Sequence, residues 1–148
     1  MQKQYSELID APLQLVFQCI TDEQHLPRLW NEQEAKIDFR NNRDFHDPVG
    51  SKFHQKISNL VEFDGEVLAY NPPREFGIGI DVAGLRGMAF YELTEIDKRK
   101  TRLDFNLEFF DAAPEKHALL QNSWSLFEQA IERVLKAVKT TSESIKII

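Results

Sequence analysis

Arg102-Leu103-Asp104-Phe105-Asn106-Leu107-Glu108-Phe109 is the stretch of this chain that decides its fold. Apolar and polar side chains alternate without a break, the period-two pattern of a strand with one dry face and one wet face. The alternation recurs upstream. Ile37 and Phe39 interleave with Lys36, Asp38 and Arg40, and Phe53, Gln55 and Ile57 with Lys52, His54 and Lys56. Phe76, Ile78 and Ile80 share a face, with Gly77 and Gly79 between them. Turn chemistry separates these runs at Asn41-Asn42, Asp47-Pro48-Val49-Gly50, Asn71-Pro72-Pro73, Ala83-Gly84-Leu85-Arg86-Gly87 and Asp97-Lys98-Arg99-Lys100. Six antiparallel strands between Ala35 and Phe110, with an opening strand ending at Ile9, make a seven-stranded sheet.

On both sides of these strands the period changes to that of a helix. Asp10-Ala11-Pro12 introduces Leu13, Val16, Phe17 and Ile20 at helical spacing. Thr21-Asp22 reads as the cap of a second short helix, running through His25 and Leu26 to Pro27, with Trp30 in the loop beyond. After Pro114, a stripe of Leu120, Trp124, Phe127, Ile131, Val134 and Val138 lies opposite Gln121, Ser125, Glu128, Glu132 and Lys136. That is one amphipathic helix of about 24 residues, roughly 36 Å long. It needs an apolar surface, and the dry face of the sheet is the large one available. The tail from Thr140 to Ile148 has no clear period and either frays or packs through Ile145, Ile147 and Ile148. The expected fold class is α+β: a curved antiparallel sheet wrapped around a long C-terminal helix, with two short helices after the first strand.

Composition narrows the function. The 148 residues suit one domain spanning 1–148, with no repeat, low-complexity segment or dividing linker. The net charge of −6 comes without a basic block, so nothing drives counterion release and nucleic acid is not an expected partner. A single cysteine, Cys19, cannot form an internal disulfide, and no apolar run approaches the ~20 residues that span a bilayer. The expected location is therefore the cytoplasm, without integral membrane association. The composition leaves the oligomeric state open. Eleven Phe against three Tyr and two Trp supply volume with few polar handles, which suits a large apolar interior or one that encloses a pocket.

Several segments, in their order, carry a resemblance. They are Ile9-Asp10-Ala11-Pro12 leading to Val16-Phe17, Ile20-Thr21-Asp22, and Leu26-Pro27 before Trp30. Val49-Gly50-Ser51-Lys52-Phe53, Gly65-Glu66-Val67, Tyr70-Asn71-Pro72-Pro73-Arg74, Tyr91-Glu92-Leu93 and Lys100-Thr101-Arg102-Leu103 follow. Together they resemble the START-like (SRPBCC) superfamily with the helix-grip fold, in particular its polyketide cyclase/dehydrase-like and Bet v 1-like members. The resemblance covers nearly the whole chain. It implies a START-like ligand-binding domain with a cavity between sheet and helix. It does not select among carriers, enzymes and chaperone-activating modules, because one fold hosts many functions.

Candidate ligand-binding residues are those on the dry face and the helix stripe: Phe53, Gln55, Val67, Phe76, Ile78, Tyr91, Phe105, Leu107, Leu120, Trp124 and Phe127, with Trp30 at the rim. Each also reads as ordinary core when taken singly. The polar members give the set its interest, because buried amide, phenol and indole groups need partners and can orient a guest. His25, His46, His54 and His117 lack the spacing of a zinc site, and His54 falls on the wet face, so no metal is expected. Cys19 lies in a short amphipathic helix, where a buried structural thiol is the default. Gly77-Ile78-Gly79 lacks the third glycine of a phosphate loop, and Arg86 reads as a hairpin-tip residue. Acidic residues such as Glu92, Glu95, Asp104 and Glu108 keep to the wet register, so no catalytic pair converges and no cofactor is expected.

The expected function is binding of a small hydrophobic or aromatic molecule, lipid or polyketide-like. One alternative is a cyclase/dehydrase-type enzyme. The other is a chaperone-activating interaction module with an exposed apolar patch at Leu68, Tyr70 and Phe90.

Overall fold

The computed structural model describes residues 2–21, 36–38, 49–57, 60–110 and 114–145. Its strands are β1 (Gln2–Ile9), β2 (Lys36–Asp38), β3 (Lys52–Ile57), β4 (Val61–Asn71), β5 (Glu75–Val82), β6 (Leu85–Asp97) and β7 (Lys100–Phe109). They form one curved antiparallel sheet in the order β1-β7-β6-β5-β4-β3-β2. Six of the strands have six residues or more, and β2 adds a three-residue edge on β3. Helix α1 (Leu13–Thr21) follows β1, and helix α2 (Pro114–Ser144) closes the chain.

The alternation decides which face is dry. In β7, Leu103, Phe105, Leu107 and Phe109 are buried, while Arg102 and Glu108 are exposed. The buried positions of β3 to β6 face the same way and meet the stripe of α2, where Leu120, Phe127, Ile131, Val134 and Val138 are buried. Backbone register then lines up side chains that lie far apart in sequence. Tyr5 pairs with Phe105, Phe105 with Tyr91, Tyr91 with Phe76, and Phe76 with Tyr70. One aromatic row thus crosses five strands of the inner face.

Several elements depart from the sequence reading. Thr21, expected to cap a second short helix, is the last residue of α1, and its hydroxyl donates back to the Phe17 carbonyl at 2.8 Å. The remainder of that expected helix, and Trp30, lie outside the described residues. The β5–β6 turn is two residues, Ala83-Gly84, rather than five. Both have positive φ, 52° and 89°, and the Asp81 carboxylate accepts a hydrogen bond from the Gly84 amide at 2.8 Å. Arg86 therefore lies within β6, paired in the ladder with Asp81, and not at a hairpin tip.

Tyr70 also changes sides. A register shift between Val67 and Ala69 turns the strand, so Tyr70 leaves the outer face and packs against Phe17, ring centroids 5.6 Å apart. Helix α2 has 31 residues and continues to Ser144, past the expected fraying point. Its last turns are anchored: Lys139 donates to Glu7 at 3.0 Å, Glu143 accepts from the Asp10 amide at 2.8 Å, and Ser142 is buried.

Candidate functional site

The inner face of the sheet and α2 do not fill the space between them completely. A cavity of about 50 Å³ remains. The α2 backbone comes closest to β1 and β4 and bridges the central strands, where only side chains fill the gap. Ala89 on β6 and Ala130 on α2 are the small residues in the lining. Around them stand Ile78, Phe105, Leu107, Phe109, Phe127, Ile131 and Leu135, among others. The described lining is hydrocarbon almost throughout.

Tyr91 is the exception. It lines the cavity, is 1% exposed, and its hydroxyl has no hydrogen-bond partner. Neighbouring rings hold it: Phe105 meets it edge-on with centroids 4.9 Å apart, and Phe76 lies 6.1 Å away. Burial pushes the phenol far above its ordinary titration range, so it stays protonated. A buried, unsatisfied hydroxyl costs about 1–3 kcal/mol, which a hydrogen-bonding guest would return. Tyr5, farther along the same row, also has a buried unpartnered hydroxyl; burial, then Glu128 and Glu132, raise its pKa.

Five residues of the expected set line the cavity: Ile78, Tyr91, Phe105, Leu107 and Phe127. Phe53, Gln55, Val67, Phe76 and Leu120 are buried outside its lining, and Trp124 is half-buried. Trp124 packs into a cluster with Phe109 and Phe127, centroids 6.3 and 6.2 Å away, which fills the N-terminal part of the helix–sheet interface. The open space lies farther along α2, at residues 127–135. Sequence reasoning missed the other eleven lining residues, among them Phe63, Phe109, Ala130 and Leu135. Phe109 belonged to the clearest alternation, so its face was legible. No sequence signal marked Ala130, because a gap is set by what fails to reach across it.

The outer face carries different chemistry. His54 lies between two carboxylates, Asp64 at 2.7 Å from Nδ1 and Glu62 at 2.6 Å from Nε2. Both hydrogen bonds raise its pKa, that of Asp64 more. With both ring nitrogens engaged, the imidazole has no lone pair free for a metal. Among the described residues, no group of three His, Cys, Asp or Glu could hold a metal ion. Nor is any described helix long and apolar enough to cross a membrane.

A curved antiparallel sheet gripping a C-terminal helix, with an apolar cavity between them, defines a helix-grip protein of the SRPBCC, Bet v 1-like class. Residues 10–138 match the model of the family described as "Activator of Hsp90 ATPase homolog 1-like protein", and the chain belongs to that family. No curated protein sequence matches it. Solved structures of similar fold include truncated norcoclaurine synthase from Thalictrum flavum, with TM-score 0.72 and 10% identity over 99% of this chain and 95% of that one. PFC0360w, an HSP90 activator from Plasmodium falciparum, aligns with TM-score 0.63 and 20% identity over 92% and 96%. CalU16 from Micromonospora echinospora gives 0.61 and 20% over 93% and 75%.

Proposed function

We propose that the chain is a single START-like domain of the cytoplasm that binds a small hydrophobic or aromatic molecule, lipid or polyketide-like, between sheet and α2. The observation that carries this reading is the apolar cavity, with Tyr91, whose buried hydroxyl has no partner, among its described lining residues. Binding there is driven by removing apolar ligand surface from water, ~25 cal/mol per Å². A cavity of about 50 Å³ holds only a few heavy atoms, so a larger guest requires α2 to shift from the sheet. The reading is tested by thermal-shift screening against fatty acids, flavonoids and sterols. A binder raises the melting midpoint, and Ala130→Leu, which fills the cavity, abolishes that rise. A library that leaves the midpoint unmoved at saturating concentrations sinks the proposal.

A second reading follows from the family match and from the similarity to an HSP90 activator. An outer-face groove of about 600 Å³ includes Leu68, Met88 and Phe110, and Leu68 and Phe110 are 39% and 47% exposed. Phe90 lies elsewhere on that face, covering Gly77, and Tyr70 faces inward. In this reading the groove docks an Hsp90-type chaperone. Stimulated chaperone ATPase that Leu68→Asp reduces supports it, and an unchanged ATPase rate removes it.

A further inference from the structure

The Tyr91 hydroxyl narrows the chemistry of the guest. Every other side chain in the described cavity lining is hydrocarbon, so the phenol has no partner within reach. A buried water settles only where about two to four polar groups hold it, and the described wall offers one polar side chain. Ionisation is no escape, since burial keeps the proton on the oxygen. A neutral phenol donates strongly and accepts weakly, because the ring draws on the oxygen lone pair. The rings of Phe105 and Phe76 fix its plane, so the donor is oriented before a guest arrives.

We propose that the cavity selects an uncharged, mostly hydrocarbon molecule bearing one carbonyl-type acceptor, to which the Tyr91 hydroxyl donates. This rests on the apolar-ligand reading above and adds the polar end of the ligand to it. A carboxylate does not fit, because no charged side chain lines the described cavity to offset its desolvation. A pure hydrocarbon fits the walls but leaves the hydroxyl unsatisfied.

Acetophenone, ethylbenzene and benzoate share one ring, differ in the polar end (carbonyl, none, carboxylate), and all exceed the resting cavity, so each needs the same shift of α2 from the sheet. Each is titrated into the whole chain while methyl NMR follows Ile131, Val134 and Leu135, which line the cavity. Acetophenone should bind about tenfold tighter than ethylbenzene, and benzoate should leave these methyls unmoved. Tyr91→Phe should erase the preference while its melting midpoint stays equal to, or above, that of the wild type. Equal affinity of the two neutral probes for the wild type overturns the inference but leaves the apolar-ligand reading standing; so does a preference that survives in Tyr91→Phe. Tighter binding of benzoate overturns it as well. If no probe moves the cavity methyls, the apolar-ligand reading falls and takes the inference with it. The wild-type comparison stands whether or not the variant folds.

Discussion

The two faces of the sheet are built from the same strands and obey different physics. On the inner face, Val67, Ile78, Tyr91, Leu103 and Phe105 are almost wholly removed from water, and their neighbours are fixed by shape. On the outer face, partners are fixed by charge and stay wet. His54 sits between Asp64 and Glu62, and Arg102 bonds Asp104 at 3.0 Å with both side chains more than a third exposed. Glu75, Glu92 and Asp104 line up across β5, β6 and β7, a row of like charges made tolerable by solvent and by the partners Asp104 has in Arg102 and Ser6. Stability is therefore concentrated on one face. The other can exchange residues at little cost, and there a docking surface can form without disturbing the core.

The largest test of that asymmetry is Phe105→Ala. It deletes a buried ring beside the cavity and should cost about 3–5 kcal/mol by urea denaturation. A loss below about 1 kcal/mol would mean that the inner face is not packed as described. Paired glycines sharpen the contrast. A methyl group on Gly87, on the inner face, would run into the Glu108 carbonyl and the Phe109 backbone, which cannot move aside. Gly87→Ala should therefore cost about 1–3 kcal/mol. On the outer face, Gly77→Ala meets only the half-buried Phe90 ring, which can swing into solvent, so the change should stay below about 1 kcal/mol. Equal losses would abolish the distinction.

The smallest effect belongs to His54. Its folded pKa is raised above the ordinary histidine value by Asp64 and Glu62. Its contribution is thus complete below about pH 6.5 and disappears as pH rises through the folded pKa. Because the group is 56% exposed, screening limits the effect to about 0.2–1 kcal/mol. Melting midpoints at pH 5.5 and 8.5 should differ slightly more for the wild type than for His54→Gln, and the difference should shrink in high salt. A larger drop in the wild type on acidification would reverse the sign and refute the assignment.

Much of this was legible along the chain. Leu103 to Phe109 announced its dry face because a strand alternates strictly and one face must leave water. Leu120 to Val138 announced a helix that needed a cover. Tyr70 was misplaced because a one-residue bulge inverts every later position and has no distinctive residue type here. Thr21 was misread because the same hydroxyl can begin a helix or close one. The end of α2 was missed because its anchors, Glu7 and Asp10, lie more than 130 positions away in the chain.

The sequence alone determined the class of the described strands and of both described helices, the dry and wet faces apart from Tyr70, and the marriage of sheet to terminal helix. Those follow from local periodicity and from the free energy of hiding apolar area. Only the tertiary structure decided which dry residues border open space and that Tyr91 is left without a partner. Both depend on distances between elements remote in sequence, and a void between two alanines on facing elements leaves no trace in either segment read by itself.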